Sequence, residues 1–256
     1  MRRISLVFAA VVIAVLACAS VAGAITNGQI DGNRHPNVGG LVNDTQYSDG
    51  TWLYCSGTLI SPTVFLTAAH CGDEGDSSVR VTFDPAYVDG DETHAGTFYG
   101  DPRYTQRQND THDIAVVVLD EPVEGIAPAA LPEAGSLSKL SKNQRFTPVG
   151  YGAYEVTNGP GGHQFLYDDV RQFATGTLNA TNKIWLRVSM NPSTGNGGTC
   201  YGDSGGPNFL GAGAGETDIV AAITITGDAV CRSTNVDYRL DTRSARSFLD
   251  DYVTLP

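Results

Sequence analysis

The feature that most restricts the fold of this chain is a series of short, β-branched apolar runs separated by Gly, Asn, Asp and Pro. The runs are Gly57–Ile60, Val64–Thr67, Val79–Phe83, Ile114–Leu119, Ile184–Met190 and Ile219–Thr226. Ile114–Leu119 is apolar throughout, as expected of a strand that is buried on both faces. Runs of strand length, spread over most of a 256-residue chain, predict an all-β fold of two barrels or two sandwiches.

Two further segments suggest how the chain is organised. The stretch from Pro122 to Lys142 is rich in Pro, Ala, Gly and Ser, and we expect it to connect two halves. Near the end, Asp241 or Thr242 can cap a helix that we expect to pack on the second half. Its apolar stripe is Ala245, Phe248, Leu249 and Tyr252.

The first 24 residues have the composition of a secretory signal peptide. Arg2 and Arg3 precede the apolar run Ile4–Leu16, and the segment ends in the small residues Ala22–Ala24. The run is shorter than the roughly 20 residues that a membrane-spanning helix needs. We therefore predict a signal peptide over 1–24 and a secreted, extracellular protein with no membrane attachment afterwards. A lipoprotein processing site at Cys18 is the alternative.

Removal of the signal peptide takes away Cys18 and leaves four cysteines, Cys55, Cys71, Cys200 and Cys231. An even number of cysteines in an exported chain predicts disulfides. Three pairings are possible, and the natural one joins residue 55 with 71 and residue 200 with 231. Zinc is the competing interpretation, but neither C-x-x-C spacing nor a histidine pair at ligand spacing is present, so we predict no metal.

The charge of the chain excludes one class of partner. Twenty-eight acidic and 16 basic residues give a formal net charge of −12. A nucleic acid partner is not expected, because phosphate binding requires a basic face. The acidic stretch from Asp73 to Asp91 does not have the spacing of a calcium-binding loop, and we expect a solvated loop there. No cofactor is predicted.

Three local patterns together contain the groups needed for acyl transfer. They are Leu66–Cys71, Asp113–Leu119 and Gly202–Pro207. Serine is a weak nucleophile until an imidazole accepts its proton, and a carboxylate must fix the imidazole tautomer. The patterns supply His70, Asp113 and Ser204 for these roles, and flanking glycines leave the serine backbone open to a substrate. Each pattern taken singly also has a purely structural interpretation.

The order of these residues distinguishes between protein folds. Gly202–Gly206 also fits the G-x-S-x-G turn of α/β-hydrolases, in which the histidine follows the serine. All five histidines of this chain precede Ser204, so that fold is excluded. His112 lies beside Asp113 and resembles a second candidate base. Because adjacent residues of a strand face opposite ways, we predict that His112 is a surface residue.

In this order and at these separations, the motifs closely resemble the chymotrypsin/trypsin-like serine protease family. The resemblance is carried by Cys55–Ile60, Leu66–Cys71, Asp113–Leu119, Val149–Gly152 and Gly202–Pro207, and it extends over nearly the whole of residues 25–256. It implies two antiparallel six-stranded β-barrels, with a C-terminal α-helix and an active site in the cleft between them. The first barrel would span 25–135 with His70 and Asp113, and the second 136–256 with Ser204, in one trypsin-like peptidase domain.

The resemblance also implies a role for each motif residue. His70 would act as general base and then general acid, Asp113 would orient it, and Ser204 would be the nucleophile. The backbone N–H groups of Gly202 and Ser204 would form the oxyanion hole. The implied activity is a secreted, monomeric serine endopeptidase acting on protein or peptide substrates. A catalytically silent binding module with the same barrels and an esterase with the same triad are the alternatives.

Signal peptide removal after Ala24 would expose Ile25 as a new N-terminus. The resemblance implies that this terminus inserts into the second barrel and pairs with Asp203, which orders the oxyanion loop. Thr26 and Asn27 depart from the family pattern of Ile-Val-Gly-Gly. The alternative is that Ile25 only opens the first strand.

The family's primary specificity pocket maps onto two segments of this chain. Gly198 occupies the position six residues before the nucleophile, where trypsins carry aspartate. The other predicted pocket residues are Thr199, Tyr201, the strand Thr224–Gly227, above all its Thr226 and Gly227, and Val236. Asp228 or Asp237 would bring an acidic group near the pocket if the loop follows an unusual path. From Gly198 we expect a small or medium apolar side chain before the scissile bond.

Overall fold

A computed structural model describes residues 25–72, 78–106 and 109–256, and Glu155 is described without its side chain. The predicted signal peptide 1–24 and residues 73–77 of the acidic stretch therefore lie outside the described residues. The strands are β1 (Gln29–Ile30), β2 (Val38–Val42), β3 (Leu53–Ser61), β4 (Val64–Thr67), β5 (Val79–Thr82), β6 (His94–Gly100), β7 (Ala115–Leu119), β8 (Arg145–Gly150), β9 (Glu155–Gly159), β10 (Gly162–Leu166), β11 (Gln172–Phe173), β12 (Gly176–Thr181), β13 (Trp185–Ser189), β14 (Pro207–Leu210), β15 (Val220–Gly227) and β16 (Thr234–Arg239). The α-helix α1 spans Arg243–Leu249.

The first barrel is a closed antiparallel ring of six strands in the order β2-β3-β4-β7-β6-β5. The predicted runs at 57–60, 64–67, 79–83 and 114–119 fall in β3, β4, β5 and β7. The continuously apolar run is buried on both faces, since Ala115, Val116 and Val117 are fully buried. Phe65 and Leu66 of β4 are also fully buried, so the barrel core extends up to the turn that carries His70.

The second barrel closes through a pairing between β14 and β8, which completes the ring β8-β12-β13-β16-β15-β14. Two closed six-stranded antiparallel barrels and a C-terminal helix confirm the predicted fold class. The short strands β11 and β1 extend the sheet beyond β8. Because Gln29 and Ile30 pair with β11, this part of segment 25–135 lies on the second barrel and not on the first.

The C-terminal helix is followed by residues that reach back to the first barrel. Thr242 caps it, because the threonine Oγ1 accepts a hydrogen bond from Ala245 N (3.2 Å). Beyond the helix, the Tyr252 ring packs against Tyr99 of β6 at 5.9 Å between ring centroids. The apolar helix residues Ala245, Phe248 and Leu249 share a buried cluster with strands of both barrels, including β15 and β16 of the second. The contact with the first barrel through Tyr252 is an addition that the amphipathic stripe did not indicate.

A fully buried arginine, Arg171, joins the barrels to the N-terminal segment. Its guanidinium forms an ion pair with Asp31 (2.9 Å) and donates hydrogen bonds to the carbonyl oxygens of Val38 (2.8 Å) and Phe83 (2.9 Å). It also donates to the Tyr151 hydroxyl (3.2 Å). A buried charge needs such complete pairing, because each unmet partner carries a desolvation penalty. These bonds fix how the first barrel lies against the second near the cleft.

Candidate active site

His70 and Asp113 meet because they flank two paired strands. β4 and β7 run antiparallel with Thr67 opposite Ala115, so the residues after β4 and before β7 emerge at one edge. His70 Nδ1 lies 2.8 Å from Asp113 Oδ2, and the backbone N–H of His70 donates to Asp113 Oδ1 (3.0 Å). Asp113 is only 5% exposed. The carboxylate therefore holds the ring through Nδ1 and leaves Nε2 available for proton transfer.

Ser204 lies in a turn between β13 and β14, and this turn is hydrogen-bonded to β3 of the first barrel. Its carbonyl oxygen accepts a hydrogen bond from Ser56 N (2.9 Å), and the next residue, Gly205, donates from its N–H to Thr224 O (2.8 Å). Gly205 has φ +78°, and a Cβ there would lie 2.1 Å from Thr67 Oγ1. Only glycine permits this approach between the serine turn and the end of β4.

The three predicted triad residues lie in separate segments of the chain but close to one cavity. His70 and Ser204 line the same cavity of about 300 Å³. No hydrogen bond joins His70 to Ser204 within the described residues. Catalytic hydrogen bonds are often long without substrate and tighten in the Michaelis complex, so this geometry is compatible with a nucleophile and its base.

Two backbone N–H groups beside the serine are free to bind an anion. Neither the Gly202 nor the Ser204 N–H has an acceptor within the described part of the chain. Gly202 has φ +93°, and a Cβ on it would lie 2.9 Å from Gly152 Cα. Positive φ and the close approach to Gly152 restrict this position to glycine, so no side chain at residue 202 lies beside these two amides.

Ser56 is a fully buried residue beside the candidate site to which the sequence analysis gave no role. Its buried hydroxyl donates to Gly202 O (3.0 Å) and accepts from Tyr151 N (3.0 Å). Its own backbone N–H donates to the carbonyl of Ser204 (2.9 Å). Ser56 therefore ties β3 to both loops that build the oxyanion site. The sequence feature that could have identified Ser56 is its hydroxyl within the motif that begins at Cys55.

Asp203 and Ile25, the predicted activation pair, are not joined by a hydrogen bond or ion pair within the described residues. The Asp203 carboxylate is fully buried and accepts from the N–H groups of Gly152 and Cys200 (2.8 Å each). Burial outweighs these two bonds and raises the pKa of Asp203 to about 7. The Ile25 backbone N–H donates instead to Gln172 Oε1 (3.1 Å).

The residues after Ile25 nevertheless lie along the strand-like segment that leads to the nucleophile. Thr26 forms an antiparallel bridge with Gly198, and its hydroxyl donates to Gly198 O (3.1 Å). The Asn27 side chain donates to Asn196 O (2.8 Å). The start of the described chain is therefore already docked on the second barrel beside the candidate site.

The cavity beside Ser204 contains most of the predicted pocket residues. Thr199, Tyr201, Thr226 and Gly227 line it, whereas Gly198 does not. The Met190 side chain packs over Gly198, with its Cγ 2.4 Å from where a Cβ would be. Thr224 and Ile225 of the predicted wall strand also line it, whereas Val236 does not. Cys231 and Asn235 are lining residues that were not predicted. Asp228, one of the two acidic candidates, also lines the cavity.

Both expected disulfides are present. Cys55 is bonded to Cys71 and Cys200 to Cys231, so the pairing of sequence neighbours is confirmed. The first bond anchors the turn of His70, and the second borders the cavity. Cys55, Cys71 and His70 are close enough for a metal site. The two sulfurs are bonded to each other, however, and offer no thiolate ligands.

The interpretation of His112 as a surface residue was wrong. Its side chain is 14% exposed, and its Nδ1 lies 3.2 Å from Asp101 Oδ2. His112 has φ +49°, so it is not part of the extended strand, and the alternation rule does not apply to it.

Comparison with known proteins agrees with this geometry. The family profile described as Trypsin matches residues 30–250. Brachyurin of Leptuca pugilator is 31% identical over 219 residues, which cover 82% of this chain and 92% of that protein. A trypsin of Phaedon cochleariae is 30% identical over 175 residues (61% of this chain, 64% of that protein). Glucanase inhibitor protein 3 of Phytophthora sojae (strain P6497) is 28% identical over 174 residues (64% of this chain, 65% of that protein).

No helix in the described part of the chain is long and apolar enough to cross a membrane.

Proposed function

This chain belongs to the trypsin family of serine proteases, and on that basis we propose that it is a secreted serine endopeptidase working through an acyl-enzyme intermediate. The observation that carries the proposal is that His70, held by Asp113, and Ser204 line one cavity, with the unpaired N–H groups of Gly202 and Ser204 in the turn of the serine. These are the parts that nucleophilic acyl transfer requires.

In this mechanism Ser204 Oγ attacks the scissile carbonyl carbon while His70 Nε2 accepts the serine proton. Asp113 stabilises the imidazolium through the Nδ1 hydrogen bond. The N–H groups of Gly202 and Ser204 bind the developing oxyanion, and each such donor lowers the barrier by roughly 2.7–4 kcal/mol. His70 then protonates the leaving amine, the C–N bond breaks, and water hydrolyses the acyl-serine ester by the same steps.

We further propose that signal peptide removal after Ala24 produces the active N-terminus directly. A free Ile25 ammonium would supply the cation that Asp203 lacks. The docking of Thr26 beside Gly198 supports this, because it keeps the new terminus close to the nucleophile turn. N-terminal sequencing of the secreted, active protein should give Ile25 as the first residue. A first residue well before or after Ile25 would contradict the proposal.

Covalent labelling with a fluorophosphonate probe tests the catalytic assignment. We expect labelling of the secreted protein and complete loss of labelling in Ser204→Ala. Ser193→Ala is the matched control, because Ser193 lies in an exposed turn away from the cavity. The labelled protein should also cut a mixed peptide library, with cleavage absent in Ser204→Ala.

A binding module without catalysis is the second candidate function. It is favoured by the similarity to a relative that is named as a glucanase inhibitor. Lack of Ser204-dependent labelling would support this module. Labelling without peptide cleavage would instead indicate an esterase that uses the same triad.

A further inference from the structure

A buried polar cluster crosses three strands of the second barrel. It consists of Asn208 on β14, Thr224 on β15, and Asn235 and Asp237 on β16, and each of these residues is at most 4% exposed. The three strands are neighbours in the sheet, in the order β16-β15-β14. Asp237, the second acidic candidate from the sequence, does not line the cavity. It is the fully buried centre of this cluster.

The hydrogen bonds of the cluster converge on one oxygen of Asp237. Its Oδ1 accepts from Asn235 Nδ2 (2.6 Å), from Asn208 Nδ2 (2.9 Å) and from the Thr224 hydroxyl (3.4 Å). The same two amide groups also donate to Thr224 Oγ1 (3.3 and 3.2 Å). Asp237 therefore fixes the Thr224 side chain both directly and through two amides. Burial raises the pKa of Asp237 well above its usual value, which favours the neutral carboxyl.

Thr224 connects this cluster to the turn that carries Ser204. Its backbone N–H donates to Gly206 O (2.9 Å), and its carbonyl oxygen accepts from the N–H of Gly205 (2.8 Å). These glycines are the two residues that follow the serine. The pairing of β15 with β16 shifts in register immediately after Thr224, so the strand ladder is interrupted at this point. The side-chain hydrogen bonds of Thr224 hold it where the ladder does not.

Stability does not account for a polar cluster at this position. Asn208 Oδ1, Asn235 Oδ1 and Asp237 Oδ2 have no hydrogen-bond partner among the described residues. Each unpaired buried polar atom costs free energy, and well-packed apolar side chains of similar volume are often at least as stable. Hydrogen bonds are directional, however, and fix the position of Thr224 more narrowly than apolar contacts do.

Building on the proposed endopeptidase function, we propose that Asp237 is a positioning residue that acts through Thr224 to fix the turn of the nucleophile Ser204. Asp237 itself contacts neither the cavity nor the serine. Without its acceptor oxygen, the Thr224 side chain loses its anchor on β16, and the bonds to Gly205 and Gly206 no longer hold the turn in one place. A displacement of about 1 Å at a reacting group can lower a rate by about 100-fold.

Two substitutions of Asp237 separate its acceptor oxygen from its bulk. Asp237→Leu removes the acceptor, whereas Asp237→Asn keeps an oxygen acceptor in a neutral side chain of the same size. We expect kcat to fall at least about tenfold in Asp237→Leu with KM changed less than about threefold, and kcat to stay within about threefold in Asp237→Asn. Ile223→Val, at a fully buried apolar neighbour on β15, is the control and should leave kcat unaltered. An unchanged kcat in Asp237→Leu, or an equal fall in both variants, overturns the proposal.

Amide hydrogen exchange distinguishes positioning from a general structural role. In a Ser204→Ala background, Asp237→Leu should speed exchange of the Gly205 N–H at least about tenfold. The Leu210 N–H, which donates to Ile219 O (2.9 Å) farther along the same strand pair, should stay within about twofold. Equal acceleration at both amides indicates general destabilisation and overturns the proposal. The exchange measurement needs no catalysis, so if the protein cuts no peptide, the endopeptidase proposal fails while the anchoring of the serine turn is still decided.

Thr224→Val decides the proposal if Asp237→Leu does not fold. Valine keeps the shape of the side chain and the backbone bonds to Gly205 and Gly206, and it removes only the hydroxyl that links Thr224 to the cluster. We expect kcat to fall at least about tenfold and Gly205 exchange to accelerate as in Asp237→Leu. Wild-type values of both would overturn the proposal.

Discussion

Asp203 provides a direct test of how the N-terminus is coupled to the active site. In the chain as described, Ile25 is not paired with Asp203, and the carboxylate depends on the N–H groups of Gly152 and Cys200. Asp203→Asn keeps the size of the side chain and removes its ionisation. In a protein whose chain extends before Ile25, the Asp203 carboxyl should make the stability depend on pH. We expect Asp203→Asn to remove this dependence.

The size of this contribution follows from the pKa of the buried group. Burial raises the Asp203 pKa from 3.8 to about 7 in the folded chain. Between about pH 4 and pH 7, the folded protein keeps a proton that the unfolded chain has released. The free energy of unfolding must therefore fall as pH rises through this window, by about 1.4 kcal/mol per pH unit. The total loss of unfolding free energy is about 4 kcal/mol, and it is complete above about pH 7.

Urea unfolding of Ser204→Ala, with and without Asp203→Asn, measures this contribution at a series of pH values. The Ser204→Ala background prevents self-cleavage. Other titrating groups, Asp237 among them, are common to both proteins and cancel in the difference. Both proteins should keep a short extension before Ile25. The difference in unfolding free energy should change by about 4 kcal/mol between about pH 4 and pH 8.

A second pair of proteins that begin at Ile25 completes the experiment. A free ammonium near Asp203 would lower the carboxyl pKa, so the pH-dependent difference should shrink or reverse in sign. A difference that stays constant with pH in the extended pair would refute the reasoning on burial. An identical pH dependence in both pairs would show that Ile25 does not reach Asp203.

Three further substitutions have defined expectations. Ser56→Ala removes the hydroxyl that holds Gly202, and steady-state kinetics should show kcat lowered by roughly tenfold or more with little change in KM; a change confined to KM would contradict this role. Arg171→Met removes the guanidinium from the buried Asp31, which keeps only its contacts with His35, and urea unfolding should report a loss of about 3–5 kcal/mol; a loss below about 1 kcal/mol would show that the Arg171–Asp31 pair is dispensable. Thr242→Ala removes the cap of α1, and thermal unfolding should show a loss of about 1 kcal/mol; an unchanged Tm would contradict the capping assignment.

The candidate catalytic residues could be found from the sequence because each lies in a short motif with its own local chemistry. His70 follows a buried strand and precedes a disulfide, and Asp113 opens the strand that pairs with it. Such motifs can be recognised in the sequence because they consist of residues that are adjacent in the chain. Ser56 was harder to recognise, since its partners Tyr151 and Gly202 are about one hundred residues or more away along the chain.

Errors arose where backbone conformation or distant packing decides a residue's environment. His112 was assigned to the surface by strand alternation, but its left-handed backbone turns the ring toward Asp101. Gly198 was assigned to the pocket by its distance from the nucleophile, but Met190 covers it. Neither a positive φ at a histidine nor the position of a distant methionine can be derived from local sequence.

The amino-acid sequence by itself determined the all-β class, the identity of the disulfide-bonded cysteines and the three candidate catalytic side chains, because these depend on local periodicity and on short motifs. Tertiary structure alone decided that the residues after the last helix reach the first barrel, which sheet the first strand joins and which groups line the cavity. These outcomes depend on contacts between segments far apart in the chain. The hydrogen bond between Asn235 and Asp237 shows the difference, since the sequence contains both residues but only the closed barrel buries them against each other, with Asn235 at the cavity that Ser204 lines.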